Sequence, residues 1–150
     1  MALFDTLNDA SWVLLGKLTL SGTTPASTAA IDMQGFNALD IAVVNATVTD
    51  AGTAAGYVIK LQESDALVGT GFTDVAAADA VGGVVSTTTT SDTDDDKIAG
   101  VLGYVGGKRY VRATGTGTTL TDAVVYVMGR RSRSGLARPN TAVAASTATT

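Results

Sequence analysis

Between Gly100 and Gly129 the chain reads GVLGYVGGKRYVRATGTGTTLTDAVVYVMG. Three short runs of Val, Leu, Tyr and Thr are separated by Gly106-Gly107 and by Gly115-Thr116-Gly117. β-Branched and aromatic side chains suit a pleated sheet, and paired glycines suit tight hairpins. The pattern predicts a three-stranded antiparallel meander over Ile98–Tyr104, Lys108–Thr114 and Leu120–Met128. No stretch of the chain keeps a helical period, and the connecting segments are too short or too polar to supply the helices of an α/β fold. Short strands and glycine-rich turns recur back to Ser11. The expected fold is all-β, an antiparallel β-sandwich or jelly roll with extended N- and C-terminal arms.

Upstream, Ser11–Leu20 reads as a first strand with Trp12, Leu14, Leu18 and Leu20 in one phase, which predicts Trp12 in the core. Ala29–Met33 reads as a short second strand. In a third, Leu39–Thr49, Leu39, Ile41 and Val43 face one way and Val44, Ala46 and Val48 the other, so its two ends are expected to be buried on different sides. Tyr57–Glu63 alternates most cleanly, with Tyr57, Ile59 and Leu61 on one face. Phe72–Val75 is a short strand, Ala76–Ala80 one helical turn, and Val84–Ser86 a brief pairing before a polar loop over Thr87–Asp96. Met1–Ala10 is expected to be an N-terminal arm with a helical turn. Residues 11–129 are expected to form the sandwich, and 130–150 an extended tail, first basic and then Ala/Thr-rich. Its last eleven residues, Asn140–Thr150, would reach about 35 Å when extended.

The chain of 150 residues is expected to be one domain. It contains no Cys and no His, which removes thiolate metal sites, disulfides and the side chain most used for proton transfer near neutral pH. No enzyme activity, cofactor or metal is expected. No run approaches about 18 apolar residues, and the N-terminus lacks a basic segment before an apolar core, so neither a membrane partner nor a secretory signal is expected. Thirteen of the fourteen acidic side chains precede Lys97, whereas most of the ten basic ones follow it. An acidic body with a basic end suits electrostatic docking on another protein.

Several clusters bear on chemistry. Asp92, Asp94, Asp95 and Asp96 are the only candidate cation ligands, but they lack the spaced glycine and distal glutamate of an EF-hand, and a solvated acidic loop is expected. Lys108, Arg109 and Arg112, with Arg130, Arg131, Arg133 and Arg138, carry the positive charge, and Tyr104 or Tyr110 lies close enough in sequence to stack a base. A sequence pI near 4.5 and tail arginines without aromatic neighbours favour a protein partner over nucleic acid. Gly115–Thr119 lacks the Gly-Lys-Ser/Thr ending of a phosphate loop. In the last strand, Leu120, Val124, Tyr126 and Met128 share one face and Ala123, Val125 and Val127 the other. Both faces are therefore expected to be covered, by another layer of the domain or by a partner.

Tyr57–Asp65 (YVIKLQESD), Phe72–Val75 (FTDV) and Lys108–Arg112 (KRYVR) together resemble a layout found in structural proteins of tailed bacteriophages. The resemblance extends from Ser27 to Met128 and is nearest to the small jelly-roll decoration proteins (cement or head auxiliary proteins) that coat icosahedral capsids. It implies a non-catalytic virion protein, made in the host cytoplasm and bound to the capsid surface. Its partner would be the major capsid protein, and it would act as a homodimer or homotrimer that clamps neighbouring shell subunits by avidity. On this reading Arg130, Arg131, Arg133 and Arg138 grip the shell, Lys108, Arg109, Tyr110 and Arg112 add contacts, and Leu120, Val124, Tyr126 and Met128 drive self-association. A head–tail connector or tail component forming a ring, and a glycan-binding β-sandwich module, are the alternative classes.

Overall fold

A computed structural model describes residues 10–49, 56–67, 71–91, 93–119 and 121–133. The expectations for the helical turn before Ala10, for Arg138, Leu120 and Asp92, and for the Ala/Thr-rich tail lie outside these residues. Ten strands are present: β1 (Ala10–Ser21), β2 (Ala26–Ser27), β3 (Ile31–Asp32), β4 (Ala38–Thr49), β5 (Tyr57–Ser64), β6 (Thr73–Asp74), β7 (Ser86–Thr89), β8 (Ile98–Tyr104), β9 (Tyr110–Gly117) and β10 (Asp122–Ser132). They form two antiparallel sheets. One has the order β1-β10-β4-β8; the other has β2 and β3 beside β9, then β5, then β6 and β7. With each short pair counted as one position, the orders become 1-8-3-6 and 2-7-4-5, the double Greek key of a jelly roll. The expected all-β sandwich is present.

The meander is not. β8 pairs with β4 in the first sheet, β9 with β5 in the second, and β10 returns to the first between β1 and β4. Gly115-Thr116-Gly117, read as a hairpin turn, continues β9 and pairs with Ile59, Val58 and Tyr57. These glycines are small core positions. A Cβ on Gly115 would lie 2.7 Å from Ile59 Cδ1, and one on Gly117 would lie 2.6 Å from Thr121 Cβ and 2.8 Å from the Gly22 carbonyl oxygen. Local glycine content cannot separate a turn from a place where two layers approach closely.

Two bulges reset the phase of long strands. In β1 the pairing to β10 slips between Leu14 and Gly16, which has φ +136°, a region that side chains avoid. Leu15, Leu18 and Leu20 point into the core, whereas Trp12, expected there, is 69% exposed on the outer face. In β4 Asn45 pairs with Val125 and Thr47 with Val124, leaving Ala46 as the extra residue. Leu39, Ile41, Val43 and Val48 therefore all face one core, not two sides as expected.

The acidic loop braces that second bulge. The buried Asn45 amide donates to the Asp94 carbonyl at 2.9 Å, its oxygen accepts from the Tyr57 hydroxyl, and the Asp95 carboxylate accepts the Val48 N–H at 2.6 Å. Asp94 also meets Lys97 at 3.2 Å. Among the described residues no group of three potential ligands is placed to hold a metal. Thr87–Thr89, expected in the loop, instead belong to β7 against β5. A 3-10 turn at Ala77–Asp79 leads to a bridge between Ala80 and Tyr104, which covers part of the β8 edge.

Candidate functional site

β10 extends three residues beyond Gly129, still paired to Ala10, Ser11 and Trp12 on one side and to Ala38, Leu39 and Asp40 on the other. Arg130 and Arg131 are therefore strand residues, contrary to the expected tail, and strand alternation sends them to different surfaces. Arg131 continues the inward phase of Val125, Val127 and Gly129 and reaches the end of the sandwich. There its guanidinium donates to the Asp32 carbonyl at 2.7 Å and to Ser11 Oγ at 3.3 Å, and stands 4.3 Å from the centroid of Phe36. Its buried Nε has no partner among the described residues. Arg133, exposed, stands 5.0 Å from the same ring.

The loop crossing from β8 to β9 comes to the same end. Arg109 forks onto the Asp32 carboxylate, with contacts of 2.9–3.3 Å, and lies 5.1 Å over Tyr110. That hydrogen bond, aided by the Gln34 N–H, holds the Asp32 carboxyl below its ordinary pKa and raises that of Arg109. Lys108 pairs with Asp65 at 2.5 Å, which raises its pKa. Met33, Gln34, Phe36, Gly106, Gly107, Lys108 and Arg109 line a hollow of about 330 Å³. Beneath it the buried Tyr104 hydroxyl donates to Glu63 at 2.7 Å and accepts the Lys108 N–H at 2.9 Å. This fastens the crossing loop to the core.

Lys108, Arg109, Tyr110, Arg131 and Arg133 thus converge from two distant segments on one end of the sandwich, backed by Phe36. Arg112 does not join them. It lies on the outer face of β9, bonded to Gln62 Oε1 at 3.0 and 2.8 Å and 4.1 Å over Phe72. Arg130 faces outward from the first sheet, 5.9 Å from the ring of Trp12.

That sheet's outer face is the second surface. The strand register places its outward residues in rows across β1, β10, β4 and β8: Trp12–Arg130–Asp40–Gly103, then Leu14–Met128–Ala42–Val101, then Lys17–Tyr126–Val44–Ile98. Val124 follows between Thr19 and Thr47. Val81 packs over Gly103. Trp12, Leu14, Ile98, Val101, Tyr126 and Met128 are between 41% and 69% exposed, so no described layer of the domain covers this face. A contiguous apolar patch of this kind marks an interaction site more often than isolated surface apolar residues do. Val124, Tyr126 and Met128 were legible from sequence. Trp12, Leu14, Val101 and Phe36 were not, although a glycine inside a strand pattern is a bulge signal that would have moved Trp12 and Leu14 outward.

No family model and no curated protein matches the chain. Solved structures do. The PBSX exported protein XepA superposes with a TM-score of 0.54 at 12% identity, over 82% of this chain and 37% of that one. The SPBc2 prophage-derived protein YomS does so with a TM-score of 0.48 at 14% identity, over 82% and 92% of the two chains. A subunit of the disulfide-linked pili that form Bacillus endospore appendages gives 0.42 at 14% identity, over 83% and 86%. This chain spans little more than a third of the XepA length, and what it shares with that protein is the β-sandwich fold.

Proposed function

We propose that this chain is a non-catalytic virion structural protein, a decoration protein that binds the outside of a phage capsid and ties neighbouring major capsid subunits together. The observation that carries the reading is the basic end of the sandwich. Lys108 and Arg109 line a hollow backed by Phe36 there, and Arg133 stands exposed beside the same ring. The carboxylates of Asp32 and Asp65 offset part of this charge, and Arg133 retains its own without an ion pair among the described residues. An exposed cation beside an aromatic ring suits the rim and anchor of a protein–protein contact with an acidic surface. The Phe72–Val75 and Lys108–Arg112 segments that carry the resemblance to decoration proteins overlap β6 and β9.

The role assigned to Arg131 changes on this reading. Its hydrogen bonds and ring contact belong to the fold, so the shell contact rests on Arg133, Lys108 and Arg109. The test is co-sedimentation with purified capsids lacking this protein, expanded and unexpanded in parallel. Saturable binding to expanded shells is expected, and the double variant Lys108→Ala/Arg133→Ala should bind about tenfold more weakly. Wild-type protein that binds neither shell would remove the decoration reading. Equal binding by the double variant would remove the basic end from it.

A further inference from the structure

The rows on the outer face of the β1-β10-β4-β8 sheet have a property that emerges only when two copies are laid face to face. Consider a two-fold axis parallel to the strands, midway between β10 and β4. It keeps each row opposite itself and reverses the order of strands, so a β10 residue meets its β4 neighbour from the other copy. In the first row Arg130 then faces Asp40 of the second copy, and Asp40 faces Arg130. In the next row Met128 faces Ala42, and in the third Tyr126 faces Val44. At each apolar level a large side chain meets a small one, and at the charged level opposite signs meet twice.

We propose that this face is a two-fold interface with a second copy of the same chain, built on the reciprocal Arg130–Asp40 and Met128–Ala42 contacts. The opposite axis direction, perpendicular to the strands, would bring the Arg130 and Asp40 row against apolar Tyr126 and Val44 and leave those charges unpaired in the contact. A shallow hollow of about 270 Å³, lined by Trp12, Asp40, Ala42, Val101, Met128 and Arg130, has Ala42 among its walls and receives the other copy's Met128. Neither Arg130 nor Asp40 has an ion pair within the chain among the described residues, so both charges are available to a partner. Aligned sheets pack about 10 Å apart with strands within about 30° of each other, which keeps the two central strands in register while the corners diverge. An isologous contact of this kind closes as a dimer and does not propagate.

The charge pair supplies a test that separates contacts within a chain from contacts between chains. Arg130→Glu alone places a second carboxylate against Asp40 at both symmetric positions, and Asp40→Arg alone places two arginines together at both. Each single variant should sediment as a monomer at concentrations where the wild type is a dimer, with association at least about tenfold weaker. Mixed in equal amounts, the two variants should form a heterodimer, because opposite charges then meet at both contacts. There the carboxylate introduced at position 130 of one copy faces the guanidinium introduced at position 40 of the other, and native Asp40 faces native Arg130, so both contacts join opposite charges and one of them has its signs exchanged. The double variant Arg130→Glu/Asp40→Arg makes that exchange within one chain and should dimerise like the wild type. Because the native chain has no Cys, Ala42→Cys and Met128→Cys provide an independent check: oxidation of their mixture should give the crossed disulfide in preference to either homodimer.

A wild-type monomer at all concentrations overturns the proposal, whether the face is then covered by residues 1–9 or 134–150 of its own chain or by the capsid alone. So does a double variant that stays monomeric, or single variants that dimerise like the wild type. The readout is solution mass and needs no capsid. Failure here leaves the decoration reading standing, and failure to bind shells leaves the dimer standing.

Discussion

Arg131 and Arg133 share one phase of the chain and one aromatic ring, yet they do different work because β10 ends between them. Arg131 closes the end of the sandwich, bonded to the Asp32 carbonyl and Ser11 and stacked on Phe36, whereas Arg133 touches only the ring. Arg131→Ala would remove the hydrogen bonds to the Asp32 carbonyl and Ser11 and the nearer of the two cations on Phe36, and should cost about 1–3 kcal/mol. Arg133→Ala should stay within about 0.5 kcal/mol. Urea unfolding of the two variants checks the contrast, and equal stabilities would remove the structural role given to Arg131. From sequence the two were indistinguishable members of one basic run. What separated them was the end of β10: Arg131 lies inside the strand, half-buried against Asp32 and Ser11, whereas Arg133 lies just beyond it, exposed beside the ring of Phe36, almost a hundred residues away in sequence.

At the scale of elements, glycine carries two meanings. Gly106 and Gly107 do lie in a loop, as the pattern suggested, and a Cβ on Gly107 meets nothing within 4 Å. Gly117 is a core position inside β9, where a Cβ would collide with Thr121 and with the Gly22 backbone. Gly117→Ala should therefore destabilise by about 1–3 kcal/mol through overpacking. Gly107→Ala should be neutral within about 0.5 kcal/mol. Thermal melts of the pair would reveal a mistake in the strand assignment if the order were reversed. The bulges matter in the same way. Gly16 turns Trp12 and Leu14 out of the core, and without it the outer face of the first sheet would lose two of its apolar members.

For the whole molecule, pH should bound stability from both sides. The Asp32 carboxyl is held low by its bond from Arg109, and that of Asp74 by bonds from Gln62 and Lys60. Their contribution is present above the ordinary carboxylate pKa of 3.8 and is lost as pH falls through the lower folded values. Both groups are exposed, so the acid effect is small and screened by salt. Tyr104 and Tyr57 are shifted upward, chiefly by burial, with the Glu63 carboxylate adding to the shift of Tyr104. Folding thus favours the neutral phenols. Stability is unaffected below the ordinary tyrosine value of 10.0 and falls as pH rises above it, because the unfolded chain ionises first. Melting temperature measured from neutral pH to above 10 should decline beyond that value, and Tyr104→Phe should flatten the decline.

Much of the fold was legible along the chain. The runs of β-branched residues marked β4, β5, β8 and β10, and the period of two in Tyr57, Ile59 and Leu61 identified a core face, because these signals are local and depend on backbone geometry alone. The sign change in charge near Lys97 likewise pointed to a basic surface. Only the tertiary structure decided which strands are neighbours, since three consecutive strands that looked like a meander alternate between two sheets. It also decided that Trp12 is a surface residue and Asp95 a backbone brace. Those outcomes depend on bulges that shift a strand by one residue and on contacts between segments far apart in sequence. A shift of one residue exchanges the two faces of a strand, so an error too small to alter the strand assignment reverses which side chains form the exposed apolar face.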